Sequence, residues 1–227
     1  MLELRHLNAS YGQAQALFDV SFQVPTGQMV LIQGLNGAGK STLLKSIMGL
    51  MAAVSGEVLW HGQSLQTLQP HQRSALGLGY VPEDRRLFAA LTVRQNLEIA
   101  MPNLAHRGGA TQLSLDSVLD LFPALRSMLD RPAAQMSGGE QQMLALGRTL
   151  MTQASMLLLD EPCEGISPVL VQSIAHALAR LKQQGMTLLI AEQNQTLSAM
   201  ADQVLHLASG SLVNNSAGFT YTAGSTS

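Results

Sequence analysis

Residues 28–51 read QMVLIQGLNGAGKSTLLKSIMGLM. An apolar run, Met29–Ile32, leads into Gly34-Leu35-Asn36-Gly37-Ala38-Gly39-Lys40-Ser41. Leu43/Ile47/Met51 and Leu44/Met48 then recur at four-residue spacing, which predicts a helix reaching Met51. The central stretch matches the phosphate-loop pattern GxxxxGK(S/T) with a strand before it and a helix after it. Glycines at 34, 37 and 39 let the backbone turn so that successive N–H groups point inward. Those donors and the positive end of the helix dipole make a phosphate cradle. In it Lys40 reaches the β- and γ-phosphates and the Ser41 hydroxyl ligates Mg²⁺. A chance match of this pattern is expected in on the order of one chain in a hundred of this length. The strand–loop–helix context lowers that further.

Working outward, residues 2–7 and 18–24 alternate apolar and polar, and Glu57–Trp60 follows Ser55-Gly56 as another short strand. These are expected to be antiparallel and peripheral. Gly77–Val81, Met156–Leu159, Thr187–Ala191 and Val204–Ala208 read as short buried strands, the last of them closing the sheet. Thr92/Gln95 and Ser137/Glu140 fit capping boxes, and Ser167-Pro168 fits an N-cap followed by a first helical residue. Leu115/Val118/Leu119/Phe122 form a helical face stopped by Pro123, whereas residues 102–112 read as loop. The stretch 92–135 is expected as a helical lobe inserted between core strands. Strand–helix alternation with apolar strands predicts an α/β fold, a mostly parallel core sheet with helices on both faces. Residues 209–227 carry no charge and little apolar content, and weak order is expected there, above all in 214–227.

Asp160 and Glu161 follow the apolar run MLLL. A carboxylate at the carboxyl end of a core strand is placed to hold Mg²⁺ through its water shell beside a phosphate loop. The next residue, Glu161, is placed to accept the proton of a water attacking the γ-phosphate. Such a pair means little alone. About 120 residues after a phosphate loop it becomes strong evidence for nucleotide hydrolysis.

Composition bounds the rest. A chain of 227 residues buries roughly 70% of its unfolded surface and needs no disulfide or structural metal. Its formal net charge of -2 makes no electrostatic case for nucleic acid or an anionic membrane surface. Cys163 is the sole cysteine, and the six histidines show no metal-ligand spacing. Charges stand in Met1–Arg5 where an apolar signal-peptide core would be needed, so no signal peptide and a soluble cytosolic chain are expected. Charged residues amount to 12%, about half the usual globular share of roughly 25%. Two readings stay open: a surface rich in Gln, Ser and Ala, or one covered by partner chains.

In order and spacing, Gly34–Ser41, Met136-Ser137-Gly138-Gly139-Glu140 and Asp160-Glu161-Pro162 resemble an ATP-binding cassette (ABC) ATPase, with Met136–Glu140 standing at the LSGGQ signature. The resemblance covers residues 1–213 as one ATPase domain, with 214–227 as a tail. More narrowly, VPEDRRLF, SGGEQQMLALGR, LLLDEP, GISP and AEQN are similar to cassettes serving uptake of branched-chain amino acids, relatives of which handle urea and short amides. The resemblance implies that Tyr11 stacks on adenine and that Gly34 with Asn36, Gly37, Ala38, Gly39, Lys40, Ser41 and Thr42 holds the phosphates. It implies that Glu83 contacts Mg²⁺ and the attacking water, and that Ser137, Gly138, Gly139 and Glu140 contact ATP held by the opposite subunit. Metal ligation falls to Ser41, Glu83 and, through water, Asp160; Glu161, Gln193 and Glu83 are the catalytic set. The chain departs from the common family pattern with Glu at 83, Glu at 140, Ser at 167 and Gln at 193, where Gln, Gln, Asp and His are usual. These departures are shared by the branched-chain subgroup.

The implied partners are a second cassette, transmembrane permease subunits meeting residues 84–98, and indirectly a solute-binding protein. Such a subunit sits in the cytoplasm on the inner face of the membrane. Two alternatives compete with an importer subunit: a non-transport ABC ATPase, and a nucleotide-gated subunit with little hydrolysis. Intact Glu161 argues against the second.

Overall fold

The period-2 alternation of the core strands sends their side chains to two faces, and each face meets a different layer. In the computed structural model, which describes residues 1–101 and 113–213, the chain opens with β1 (Leu2–Tyr11) and β2 (Ala14–Val24). Then come β3 (Met29–Gln33), α1 (Lys40–Met48), β4 (Ala53–Trp60), β5 (Gln63–Ser64), α2 (Pro70–Ala75) and β6 (Leu78–Val81). Helices α3 (Val93–Glu98) and α4 (Leu115–Leu121) are followed by 3-10 turns at Pro123–Met128 and Ala133–Gln135. The described residues end in α5 (Gly138–Met151), β7 (Met156–Asp160), α6 (Pro168–Gln183), β8 (Thr187–Ala191), α7 (Gln195–Ser198), β9 (Gln203–Ala208) and β10 (Ser211–Val213).

Two sheets result. A 4-stranded antiparallel sheet runs β2-β1-β4-β5, and a 6-stranded sheet runs β10-β9-β3-β8-β7-β6, parallel except for the β9–β10 pair. Val30, Ile32, Leu158 and Leu189 turn toward α1 and the antiparallel sheet, packing with Leu4, Leu17, Leu43 and Ile47. Met29, Leu31, Leu157 and Ile190 turn the other way, onto α5 and α6 through Leu144, Leu146, Ile174 and Leu178. Helix α1 therefore lies between the two sheets, and its N-terminus is fixed at the carboxyl end of β3.

The expected α/β fold with its peripheral antiparallel strands is present. Differences in extent have local causes. Helix α1 stops at Met48, short of Met51, because Gly49 adopts φ 73 and its N–H turns back to the Lys45 and Ser46 carbonyls. Arg73 of α2 reinforces that end, donating to Ser46 O at 3.2 Å and Ile47 O at 2.7 Å from a buried position. Strand β9 is not the last strand. The chain turns at Ser209-Gly210 and returns as β10, so 209–213 form a turn and a strand where weak order was expected. The expectations for residues 102–112 and 214–227 lie outside the described residues. Two of the three expected caps are closed by side chains: Thr92 and Ser137 each sit in a reciprocal capping box with Gln95 and Glu140, whereas Ser167 holds the N-cap position before Pro168 of α6 without a side-chain cap hydrogen bond.

Candidate functional site

The loop Gly34–Gly39 wraps the start of α1 through positions that only small or glycine residues accept. A Cβ at Gly34 would stand 2.2 Å from the Leu207 carbonyl oxygen, and Gly37 and Gly39 hold φ 82 and 106. Lys40 is buried at 4% exposure, its ammonium folded back into the loop. It donates to Gly34 O at 2.7 Å and Leu35 O at 3.3 Å and lies 2.9 Å from Glu161 Oε1. A buried cation aimed into a ring of backbone groups is the arrangement a phosphate chain needs.

Strand β7 delivers the two carboxylates. Asp160 Oδ1 accepts from Ser41 Oγ at 2.9 Å and Oδ2 from Tyr80 OH at 3.2 Å. Burial pushes the Asp160 carboxyl above its ordinary range, against the pull of those two hydrogen bonds. Tyr80 is pushed well above the usual phenol range, first by burial and then by the Asp160 charge. Glu161 continues the β7–β8 pairing, its N–H donating to Ala191 O at 2.8 Å, but at φ 48 it leaves the strand direction. That left-handed backbone, costly for a non-glycine residue, turns the side chain toward Lys40.

A cleft of about 710 Å³ opens over these groups, lined by Tyr11, Asn36, Gly37, Gly39, Lys40, Ser41, Thr42, Glu83 and Glu161 among others. Most of the expected site residues thus meet in one place. Gly34 and Ala38 stand behind the wall: Gly34 supplies a carbonyl to Lys40, and buried Ala38 accepts from Gly210 N at 2.9 Å. Gln193 reaches the rim, donating from Nε2 to Asn36 Oδ1 at 3.0 Å. Tyr11 is half exposed, its hydroxyl 3.4 Å from Thr42 Oγ1. Ser137, Gly138, Gly139 and Glu140 do not line this cleft; they form the first turn of α5.

Sequence reasoning missed several members. Gln15, Phe18, Ser209 and Gly210 complete the wall, brought there by β2 and the β9–β10 turn. Glu192 is buried and ties the loops after β7 and β8 together. It accepts from Cys163 N at 2.9 Å, Gln193 N at 2.8 Å and Asn194 N at 3.1 Å. Beside it, burial and the Glu192 charge push the Cys163 thiol up to about 12, so that thiol stays protonated and unreactive. Glu164, also on the cleft, is held above the ordinary carboxyl range chiefly by its hydrogen bond to Glu161.

The donor set suits Mg²⁺. One hydroxyl and one carboxylate converge at Ser41 and Asp160, with Glu83 on the same cleft, and Mg²⁺ takes its remaining ligands from phosphate and water. Among the described residues there is no closed group of three or more His, Cys, Asp or Glu that would favour a protein-only metal cage.

A phosphate cradle at a helix start, a buried lysine inside it and a strand-end carboxylate pair define a P-loop nucleoside triphosphatase. The particular family follows from comparison: a family model described as "ABC transporter" matches residues 17–164. The chain is also 40% identical over 219 residues to the high-affinity branched-chain amino acid transport ATP-binding protein BraG of Pseudomonas aeruginosa, covering 96% of this chain and 93% of that protein. It is 39% identical to the probable branched-chain amino acid transport ATP-binding protein LivF of Archaeoglobus fulgidus, covering 95% and 91%. Among solved structures, a nucleotide-free ATP-binding cassette from an ABC transporter superposes with a TM-score of 0.80 at 27% identity, covering 94% of this chain and 90% of that one. The chain belongs to the ABC transporter family and is an ABC ATPase.

Proposed function

We propose that this chain is the ATP-hydrolysing subunit of an importer of branched-chain amino acids or related small polar solutes such as urea and short amides. Residues 1–213 act as one ATPase unit with the helical lobe 92–135 inserted. It works as a head-to-tail pair of cassettes, a homodimer or heterodimer, on the cytoplasmic face of the membrane beneath separate permease subunits, which a solute-binding protein supplies from the other side. The solute class is supported by the likeness to BraG and LivF. No described helix is long and apolar enough to cross a membrane, in keeping with permeases on separate chains.

The observation that carries the reading is the Lys40–Glu161 contact of 2.9 Å inside the glycine loop. Entry of a triphosphate draws the Lys40 ammonium from the Gly34 and Leu35 carbonyls onto the β- and γ-phosphates. The loop N–H groups on the cleft, those of Asn36, Gly37 and Gly39 through Thr42, take the remaining phosphate oxygens, while Ala38 N–H stays on Leu35 O at 3.0 Å. Tyr11 covers the base. That exchange frees Glu161, whose carboxylate then accepts a proton from the water in line with the γ-phosphate. The base is therefore held by Lys40 until substrate takes the lysine. Ser41, Asp160 and Glu83 would hold Mg²⁺, which would neutralise charge on the β- and γ-phosphates. Gln193 donates to the γ-phosphate from its seat on Asn36. Ser137–Glu140 of the second cassette closes over the same phosphate.

Phosphate release by the purified chain tests this reading. Mg²⁺-dependent turnover that disappears in Glu161→Gln, while ATP binding survives, supports it; equal turnover in the variant contradicts it.

A further inference from the structure

The segment after Glu83 contains two consecutive non-glycine residues in the left-handed region, Arg85 at φ 59 and Arg86 at φ 46. Nothing in their side chains favours that backbone, so surrounding contacts must hold it. Those contacts come from α5, the helix that begins with the signature residues. Arg85 Nε donates to Gln142 Oε1 at 3.1 Å, and Nη1 lies 3.5 Å from Gln141 Oε1. The Arg85 carbonyl in turn accepts from Arg148 Nη2 at 3.4 Å, and the Arg148 guanidinium packs over the Phe88 ring at 5.3 Å. The guanidinium of Arg85 also lies against the signature turn: a Cβ at Gly138 would sit 3.3 Å from Nη1.

On the other side, Arg85 N–H closes a turn on Pro82 O at 3.0 Å, so Glu83 lies inside the turn that Arg85 ends. One residue thus joins the cleft carboxylate Glu83 to the first turn of α5. Gln142 is buried at 2% exposure, with its Nε2 unpartnered among the described residues. An amide kept there at that cost is retained for the contact its oxygen makes with Arg85.

We infer that Arg85 is a positioning residue that couples the Glu83 turn to the signature segment, so that nucleotide occupancy in one cassette sets the signature that closes on the other cassette's ATP. This rests on the head-to-tail reading above. Arg85 does not touch bound nucleotide; it acts through Gln142 and the α5 start.

Arg85→Gly tests the link, because glycine accepts the positive φ while the side chain and its contacts to Gln141 and Gln142 are lost. With purified full chains, MgATP affinity should stay within about twofold while kcat falls about tenfold with KM little changed. In a Glu161→Gln background, the ATP-dependent dimer should weaken about tenfold. Gln142→Leu, which fills the same volume without the amide, should reproduce both effects and carries the test if Arg85→Gly fails to fold. The double variant should be no worse than either single one, since both remove one link. A Glu161→Gln parent that dimerises equally well with and without Arg85→Gly overturns this inference alone, as do independent, additive effects of the two substitutions. A parent that never dimerises with ATP overturns the head-to-tail reading and this inference with it.

Discussion

Helices α1 and α5 both start at residues proposed above to hold phosphate, yet their first turns are finished differently. The α1 turn is capped by Gly39 in the left-handed region, with no side-chain cap and no acidic residue, and it carries Lys40 instead. The α5 turn closes on itself: Glu140 Oε2 accepts from Ser137 N at 2.7 Å while Ser137 Oγ accepts from Glu140 N at 3.4 Å. A helix start leaves its first N–H groups open unless something satisfies them. At α1 they face the cleft and an added cation, so an anion from outside the chain finishes the turn. At α5 the capping box satisfies Glu140 N and Ser137 N within the chain, leaves the Gly138 and Gly139 N–H groups open among the described residues, and lies off the cleft. The first is a receiving half-site; on the head-to-tail reading proposed above, the second is the surface offered to another chain.

The largest expected effect breaks the receiving half. Lys40→Ala should weaken MgATP binding by about a hundredfold or more, since one buried charge-assisted contact to phosphate is lost. Equilibrium titration with a fluorescent ATP analogue checks it. Glu161→Gln should lower kcat by about a thousandfold with affinity retained, measured by phosphate release. On the offering half, Ser137→Arg should leave ATP affinity of the single chain near the parent value and lower kcat by about a hundredfold. Affinity loss in Ser137→Arg comparable to that in Lys40→Ala would erase the distinction between the two turns.

Smaller effects sharpen it. Glu83→Gln should raise metal-free ATP affinity by removing a negative charge from the cleft, and weaken Mg²⁺ affinity in the complex by a few fold. Titrations with and without Mg²⁺ check both. Gln193→His should add an inflection between about pH 6 and 7 to the pH–rate profile that the parent lacks. Asp160 concerns stability. Its carboxyl binds a proton in the folded chain at pH values where the unfolded chain, near 3.8, has lost it. Stability of the nucleotide-free protein therefore falls as pH rises through that window. Asp160→Asn should raise stability at neutral pH by about 1 kcal/mol while abolishing Mg²⁺-dependent turnover, a trade read by thermal unfolding.

The receiving half was readable because its chemistry is local. Gly34–Ser41 and Asp160-Glu161 each combine a strand end with the residues that act, and the capping boxes at Thr92 and Ser137 are set within four residues. What stayed hidden depends on distant pairing. Tyr80 reads as a strand packing residue, and only the β6–β7 register brings its hydroxyl to Asp160. Glu192 reads as a strand-end carboxylate, but its partner Cys163 N comes from another loop. Phe18 joins the cleft wall because its N–H donates to Gly210 O at 2.9 Å, a contact across nearly the whole chain. Helix α2 was missed although its start is local, with Pro70 at the first helical position and Gln72 Oε1 accepting from Gln69 N at 2.8 Å; only its purpose, Arg73 capping the end of α1, depends on distant pairing.

The central claim is that one chain's cradle needs another chain's α5 start. Light scattering of Glu161→Gln, alone and combined with Ser137→Arg, tests it most directly. With MgATP the single variant should shift from one chain to two, because slow hydrolysis lets the closed state accumulate. The combined variant should bind ATP and remain one chain. No ATP-dependent change in mass, or an equal shift in both proteins, would contradict the account.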